Sequence, residues 1–521
     1  MNKFSGAACI ALATLGVPAR VRAQSKKDDV ISLPGTPTSN ATPASEGPGP
    51  CPLSTDDPAN GCFPAEALGV GSPPAGRLMF SRWAEDWSFL RDPKKHDSPF
   101  DPLKYVPLAD DGNIYLTLNG QERFRYNVIS NPGSLASPTR YQFLSRSVLG
   151  ADLHVGAHVR FYTEFESGQF FGPNKGPATG KLEDQALVNQ AFVDVTTPLA
   201  GGMAGVRFGR QEFADGSSML ISLRDSSNVR LTQNGVRAWI DWPGVRVQVI
   251  DFLTTTLGTG GFGDDPANKD ERLRGANASV VLQRAGKGSH NRFYLDPFVY
   301  EYYHAGQVWG GMAGTERRTS FGTRLWGGVG PLSLDWTIAR QTGSFLTPTR
   351  DAAIDALGIR AVQSVRLADG IARPEIGLRA DYGSGGGAFG NSGVLHTFNW
   401  IYGSSPYYSY GGFLNPANLK ILSPTFAVSP VRKVRVTVEY DMLSRSNAGD
   451  AIYSSSGATY AGTQAVSGSR VGQLPRLLID WTPVPQVDLQ LQVERLEAGP
   501  VLRNAGFRST TFIGPLINLR F

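Results

Sequence analysis

The sequence predicts an all-β protein: a transmembrane antiparallel β-barrel of about 18 strands, of the bacterial outer-membrane type. Three observations carry this reading. The chain opens with an export signal. It holds no apolar run of about 18 or more residues, so it offers no helix to cross a membrane with. Alternation of apolar and polar residues recurs along most of its 521 residues, in stretches longer than the roughly five or six residues of a typical soluble strand.

The opening, MNKFSGAACIALATLGVPARVRAQS, has a charged Lys3, an apolar run over 4–17 that is too short to span a bilayer, and Val21-Arg22-Ala23 as a cleavage site before Gln24. Residues 1–23 are therefore expected to be a signal peptide. Their loss removes Lys3, Arg20 and Arg22 and no acid, which lowers the formal charge from +5 to +2. That balance gives no reason to expect a nucleic-acid partner. Residues 24–80 read as a periplasmic extension rich in Pro, Gly and Ser, without packed structure of its own. Its CPLSTDDPANGC segment places Cys51 and Cys62 for a local disulfide in an oxidising compartment. The barrel is expected over 81–521, beginning with aromatics set among charges in SRWAEDWSFLRDPKKHDSPFDPLKYVPL.

The first strand signal is NIYLTLNGQERFRYNV (113–128). Ile114, Leu116, Leu118, Phe124, Tyr126 and Val128 point one way. Tyr115, Thr117, Asn119, Gln121, Arg123 and Arg125 point the other, and Glu122 alone breaks the apolar face. The same period runs through 147–165, 432–442 and 486–496. Alternating segments also fall near 186–197, 320–329 and 394–403. Between strands, tight turns (Pro243-Gly244, Gly330-Pro331, Pro483-Val484-Pro485) trade places with long polar loops (254–276, 343–374, 445–474), the layout of short periplasmic turns and long outer loops. An even count lets the sheet close without an edge. The last strand, STTFIGPLINLRF, ends on Phe521 with Leu519, Ile517 and Ile513 on its face, like the C-terminal signal that the barrel assembly machinery reads. Pro515 fits that strand at a bulge or a position that needs no N–H.

In a barrel the apolar faces meet lipid and the polar faces line an aqueous lumen. Those polar faces are rich in arginine: Arg123, Arg125, Arg160, Arg207, Arg237, Arg246, Arg324, Arg379 and Arg435 all lie opposite an apolar stripe. Guanidinium groups keep their charge and bind carboxylates through two parallel bonds, so such a wall favours anions. Each of these arginines is open to either role, a salt bridge within the wall or contact with cargo. Acids on the same faces (Asp152, Asp241, Asp335, Glu375, Glu439, Asp488, Glu494) would moderate the charge. Arg210 has lipid-facing parity unless Gly209 makes a bulge or the strand has already left the bilayer. Arg224 and Arg230, with Asp225, fit a loop between two wall strands.

The chain resembles the alginate export family over about 82–521. The resemblance rests on EDWSFL (85–90), LKYVPL (103–108) leading to Gly120, Arg123 and Arg125, FGRQEF (208–213), Asn228-Val229-Arg230 and NGVRAW (234–239). It implies an 18-stranded barrel with an arginine-lined pore, passing a polyuronate in the best-known member. The family's Phe-Asp-Gly is replaced here by Gln233-Asn234-Gly235, which removes an acid expected near the pore.

The function expected is an outer-membrane channel for anionic solutes: export of an acidic polysaccharide such as alginate, or passage of a smaller carboxylate. Periplasmic export components would be its partners and lipid its surroundings, with no cofactor, metal or enzymatic activity. The alternatives are an adhesin or structural barrel, and a hydrolase embedded in the outer membrane. A hydrolase needs a nucleophile beside a base, and none of the chain's histidines (His154 and His158 among them) sits in a nucleophile motif. Asp264-Asp265 offers carboxylates to calcium but reads as a solvated loop.

Overall fold

The computed structural model describes residues 61–68, 70, 78–283 and 292–521, which form a closed antiparallel barrel of 18 strands. The first six are β1 (Ile114–Ile129), β2 (Arg140–Val155), β3 (Val159–Phe171), β4 (Asp184–Leu199), β5 (Gly202–Gln211) and β6 (Gln233–Trp242). There follow β7 (Val245–Thr255), β8 (Ala267–Gln283), β9 (Arg292–Trp309), β10 (Met312–Val329), β11 (Leu332–Thr347) and β12 (Arg350–Arg366). The circuit ends with β13 (Glu375–Gly383), β14 (Leu419–Val428), β15 (Val434–Arg445), β16 (Arg470–Val484), β17 (Val487–Ala498) and β18 (Thr510–Arg520). Each strand pairs with the next, and β18 pairs back onto β1, with Gln121 opposite Arg520. Closure satisfies every backbone group that would otherwise be stranded in hydrocarbon. No described helix is long and apolar enough to cross a membrane.

The alternation sorts side chains as expected. On β1, Phe124 and Tyr126 stand exposed on the outside, while Asn119, Gln121, Arg123 and Asn127 are buried inside. Glu122 does face outward, where it accepts a hydrogen bond from Ser147 Oγ on the next strand at 2.6 Å. Phe521 stacks on Phe100 with centroids 5.6 Å apart, and its ring lies over Gly120, where a Cβ would approach within 2.3 Å. Pairing across the β18–β1 seam lapses between Leu516 and Ile513, so Pro515 sits where no N–H is needed.

Three expectations change. The run 147–165 is a hairpin, β2 and β3 joined by Gly156-Ala157-His158; the three-residue turn keeps the parity, so the alternation passes through it unbroken. The supposed loop 343–374 contains the end of β11 and all of β12. The segment 394–403 is not a membrane strand. Val394–Leu395 is its one short strand, Tyr402 makes a single bridge to another loop, and Leu395, Phe398 and Trp400 are buried inside the barrel rather than turned to lipid.

Three segments fold inward and occupy much of the lumen. From the N-terminal side, Phe63, Ala65, Leu68, Val70, Met79 and Trp83 pack on Tyr162, Phe192, Tyr294 and Trp326 of the wall. The expected boundary at residue 80 is therefore not a structural one: the described residues before it are packed inside the barrel. Cys62 is disulfide-bonded; Cys51, the signal peptide and the rest of 24–60 lie outside the described residues. The second and third segments are the loops 212–232 and 384–418. They join across the lumen through a parallel bridge between Ile221 and Tyr402. Met219, Leu220, Phe398, Trp400, Tyr408 and Phe413 form an apolar core there against Phe252, Leu273 and Tyr300.

Candidate functional site: an arginine-walled chamber

The inward loops leave a chamber of about 450 Å³ against the strands they do not cover. Arg123 and Arg125 (β1), Arg324 (β10), Arg360 (β12), and Gln490 and Gln492 (β17) form its wall. Arg224, Asp225, Tyr407 and Tyr410 enter from the loops. At Phe80 and Gln490 it meets a vestibule of about 980 Å³ bounded by the short turns, where Arg435 lies. Vestibule and chamber adjoin at these two residues, the vestibule on the side of the short turns.

Asp225 organises one side of the chamber. Arg146 reaches it at 2.6 Å, Arg230 at 2.6 Å and Arg123 at 3.6 Å. Burial alone would raise its carboxyl, but Arg146, Arg230 and Arg123 outweigh burial and hold it well below the ordinary aspartate value. Arg123 also donates to the Asp225 and Ser227 carbonyls, each at 2.6 Å, so its guanidinium is spent on fixing the loop. Arg125 and Arg224 differ. Arg125 bonds only the Ser226 carbonyl at 2.7 Å. Arg224 makes long bonds of 3.3 Å to the Tyr402 and Ile401 carbonyls. Among the described residues neither forms an ion pair, so these two cations on the chamber have no carboxylate within 4 Å there.

On the opposite flank Arg324 makes a two-bond pair with Asp335 at 2.7 and 3.0 Å. Arg360 lies 4.1 Å over the Tyr407 ring and 3.4 Å from Asp335. Behind Tyr407, Arg379 pairs with Asp441 at 2.6 Å and donates to the Tyr407 carbonyl, holding the third loop against the wall. Arg435 pairs with Glu375 at 2.9 Å in the vestibule.

The remaining expected arginines are elsewhere. Arg160, Arg207, Arg237 and Arg246 surround a separate space of about 470 Å³ that the N-terminal segment partly fills. Arg207 is paired twice with Asp194 at 2.7 Å and sandwiched between Trp83 and Phe192, 3.8 and 3.7 Å from their ring centroids. Arg160 pairs with Asp152 at 2.6 Å, and Arg246 with Asp241. Arg237 has no acid; its bond is to the Leu68 carbonyl at 3.2 Å. Arg210 keeps its outward parity, because the pairing runs through Gly209 without a shift. It lies one residue from the end of β5, bonded to Asn234 Oδ1, the Val188 carbonyl and the Asp265 carbonyl at 2.6–2.9 Å.

Several arginines of the interior were not singled out by the sequence, Arg82, Arg350, Arg445 and Arg520 among them. Arg146 and Arg318 are buried within the wall, Arg360 faces the chamber, and Arg476 holds the Pro406 and Tyr407 carbonyls. The inward neighbours of Arg146 are Leu144 and Val148, both buried, so apolar residues on the lumen side hid its parity. Arg360 lies on the strand that read as a loop.

The alginate export family model matches residues 114–514, most of the chain. The chain belongs to the alginate export family. Members are outer-membrane barrels, and this protein resides in the bacterial outer membrane. Of the residues that carry the resemblance, Arg123 and Arg125 line the chamber, while others hold the interior scaffold behind it. Glu85 of EDWSFL takes bonds from Lys104 Nζ (3.1 Å), Trp87 Nε1 (2.9 Å) and the Met79 amide (3.2 Å). Glu212 of FGRQEF takes Ser81 Oγ at 2.9 Å and pairs with Arg230. Asn228 ties the second loop to the Ser145, Gln169 and Leu182 carbonyls at 2.9–3.1 Å. Asn234, at the position where the resemblance led an acid to be expected, bonds Arg210 and Thr255 Oγ1 and does not line the chamber.

No curated protein matches the chain in sequence. Solved porins share the fold. The Pseudomonas aeruginosa OpdK with vanillate aligns at 12% identity over 78% of this chain and 98% of its own, with a TM-score of 0.51. OccK2 (OpdF) of the same species, in complex with glucuronate, aligns at 9% over 80% and 98%, also at 0.51. A BenF-like porin from Pseudomonas fluorescens Pf-5 aligns at 10% over 78% and 98%, again at 0.51. An outer-membrane channel is the function that family and fold support.

Proposed function

We propose that this protein is a passive outer-membrane channel for anionic saccharides, carrying an acidic polysaccharide such as alginate or a related small carboxylate through the arginine-walled chamber. The observation that carries this reading is the pair Arg125 and Arg224, which face the chamber without an acid. A carboxylate arriving there gains charge-assisted bonds and displaces only bonds to neutral backbone carbonyls, one at 2.7 Å from Arg125 and two long ones from Arg224. Arg324 and Arg360 share Asp335, and Arg324 also has Asp296 at 3.7 Å, so they contribute field without a second strong trap. The volume of about 450 Å³ suits a small carboxylate or a short stretch of chain, as small-molecule sites span about 300–1,000 Å³. Glucuronate and vanillate, the ligands named for two of the similar porins, are both carboxylates.

Planar bilayers in a salt gradient test the proposal. The wild-type channel is expected to give an anion-selective reversal potential and to be blocked by glucuronate or oligouronate. Replacing both Arg125 and Arg224 by serine should bring selectivity close to neutral and weaken the block at least tenfold. Cation preference in the wild type, or a double variant that behaves like it, would sink the assignment. Electrical silence would instead favour the closed structural barrel that the inward loops bring to mind.

A further inference from the structure

A second polar cluster lies outside the lumen, where two loops of the long-loop side meet. Asp184 begins β4, at the end of the loop 172–183. Asp264 and Asp265 belong to the loop 256–266 between β7 and β8. Carboxylate oxygens of all three lie within 4.8 Å of one another. Asp184 is fully buried and Asp265 is 6% exposed. Each spends one oxygen on a backbone amide: Asp184 Oδ1 accepts from Ala186, Asp265 Oδ1 from Gly258 and Asp264 Oδ2 from Gly260, at 2.9–3.2 Å. The second oxygens of Asp184 and Asp265 are buried with no hydrogen-bond partner. Among the described residues none of the three carboxylates is in an ion pair. The nearest guanidinium, Arg210, donates at 2.6 Å to the Asp265 backbone carbonyl and not to a carboxylate.

Two buried carboxylate oxygens aimed into a space shared with a third acid are costly while ionised unless a cation fills it; a proton shared between Asp184 and Asp265 is the competing outcome, and it would show as no calcium uptake. The geometry points to a divalent-cation site, of calcium class, built from Asp184, Asp264 and Asp265. Calcium takes oxygens at about 2.3–2.6 Å, so its ligands spread up to about 5 Å apart, the span of this cluster. Asp264 stays open to solvent and leaves room for the waters that complete such a sphere.

The site's position gives it a task. The two loops already touch through the Gly260 carbonyl, which accepts from the Gln185 and Ala186 amides, at 2.7 Å for the first. On its other side the 172–183 loop presents the Lys181 carbonyl to the amides of Asn228 and Val229, at 3.0 and 3.1 Å. Those residues anchor the loop that carries Arg224 and Asp225 into the chamber. A cation at the three aspartates would staple the outer loops together and brace the chamber loop from outside.

Calcium binding to the full-length protein in a zwitterionic detergent is the direct test, by calorimetry with calcium chloride after chelator treatment. One ion per chain is expected, with a dissociation constant of roughly 10⁻⁴–10⁻³ M as in extracellular modules. The Asp184→Asn/Asp265→Asn variant keeps the side-chain shapes and should bind at least tenfold more weakly. Asp369→Asn, on an exposed turn at the opposite end, should bind like the wild type. Calcium should also slow protease cleavage within 256–266 in the wild type and not in the double variant. If the double variant fails to fold, judged by loss of its heat-modifiable band on a gel, Asp264→Asn at the exposed ligand takes its place with the same expectation. No calcium taken up by the wild type at about 10 mM, or equal uptake by the variants and the wild type, overturns the site.

Discussion

Asp225 is the counter-charge for three guanidiniums and keeps a side-chain exposure of 32%. Replacing it by asparagine preserves shape and leaves Arg123, Arg146 and Arg230 crowded with one acid fewer. Breaking a fully buried pair costs about 3–5 kcal/mol; partial exposure of Asp225 reduces the expected loss to roughly 2 kcal/mol. Amides of residues 222–230 should then exchange with solvent about thirtyfold faster, with the strand amides unchanged; equal exchange in both proteins would show that the cluster does not hold the loop. Because its folded value is depressed, Asp225 adds stability above the unfolded value near 3.8 and loses it only as pH falls below that. Asp215, also on the chamber, runs the other way. Burial pushes its carboxyl up to about 6, against the amides of Leu220 and Ile221 that pull it down. Its contribution to stability is complete below about 3.8 and is lost as pH rises through about 6. Protonating it removes a negative charge from a chamber that no histidine lines, so anion selectivity should rise as pH falls from 7.5 to 5. Asp215→Asn should be selective at both pH values and flat between them; a slope that survives in the variant assigns the titration to another group.

At the scale of elements, what the sequence reveals depends on what each face meets. β1 was legible from end to end because lipid lies on one side and polar lumen on the other. β12 was not, and its residues say why. Near its outer end the outward positions include Asp351 and Asp355, the latter paired with Arg340 at 2.6 Å in an exposed ion pair. The inward positions there are Ala352, Ile354 and Ala356, buried against the folded loops. The pattern inverts where a strand rises above the bilayer beside an apolar interior, so the period of two is present but carries the wrong sign. The same interior makes 394–403 look like a strand, since Leu395, Phe398 and Trp400 are apolar for the loop core rather than for lipid. The arginines followed this logic. Period assigns an arginine to one side of the wall, whereas the division into Arg125 and Arg224 without acids, and Arg207 or Arg324 with them, depends on register and loop path, which period cannot supply.

For the molecule as a whole, the described part of the N-terminal segment decides how much of the lumen can conduct. Leu68, Phe63 and Val70 occupy the side walled by β3 to β7, and the Leu68 carbonyl is the hydrogen-bond acceptor of Arg237. Trp83 remains beside Arg207 whether or not those residues are present. Deleting residues 24–70 should therefore leave the barrel folded, since its seam and strand pairs are untouched. It should open the space of about 470 Å³ beneath the short turns and expose Arg237, a cation with no acid of its own. Single-channel conductance is then expected to rise at least twofold, with anion selectivity held or increased. Restoring Arg237→Ser in the deleted protein should keep the larger conductance and give back part of the selectivity gain, which separates the effect of volume from that of charge. Conductance equal to that of the full-length channel would mean that ions pass only through the chamber at Arg125 and Arg224, and that the N-terminal segment fills a space outside the conducting path.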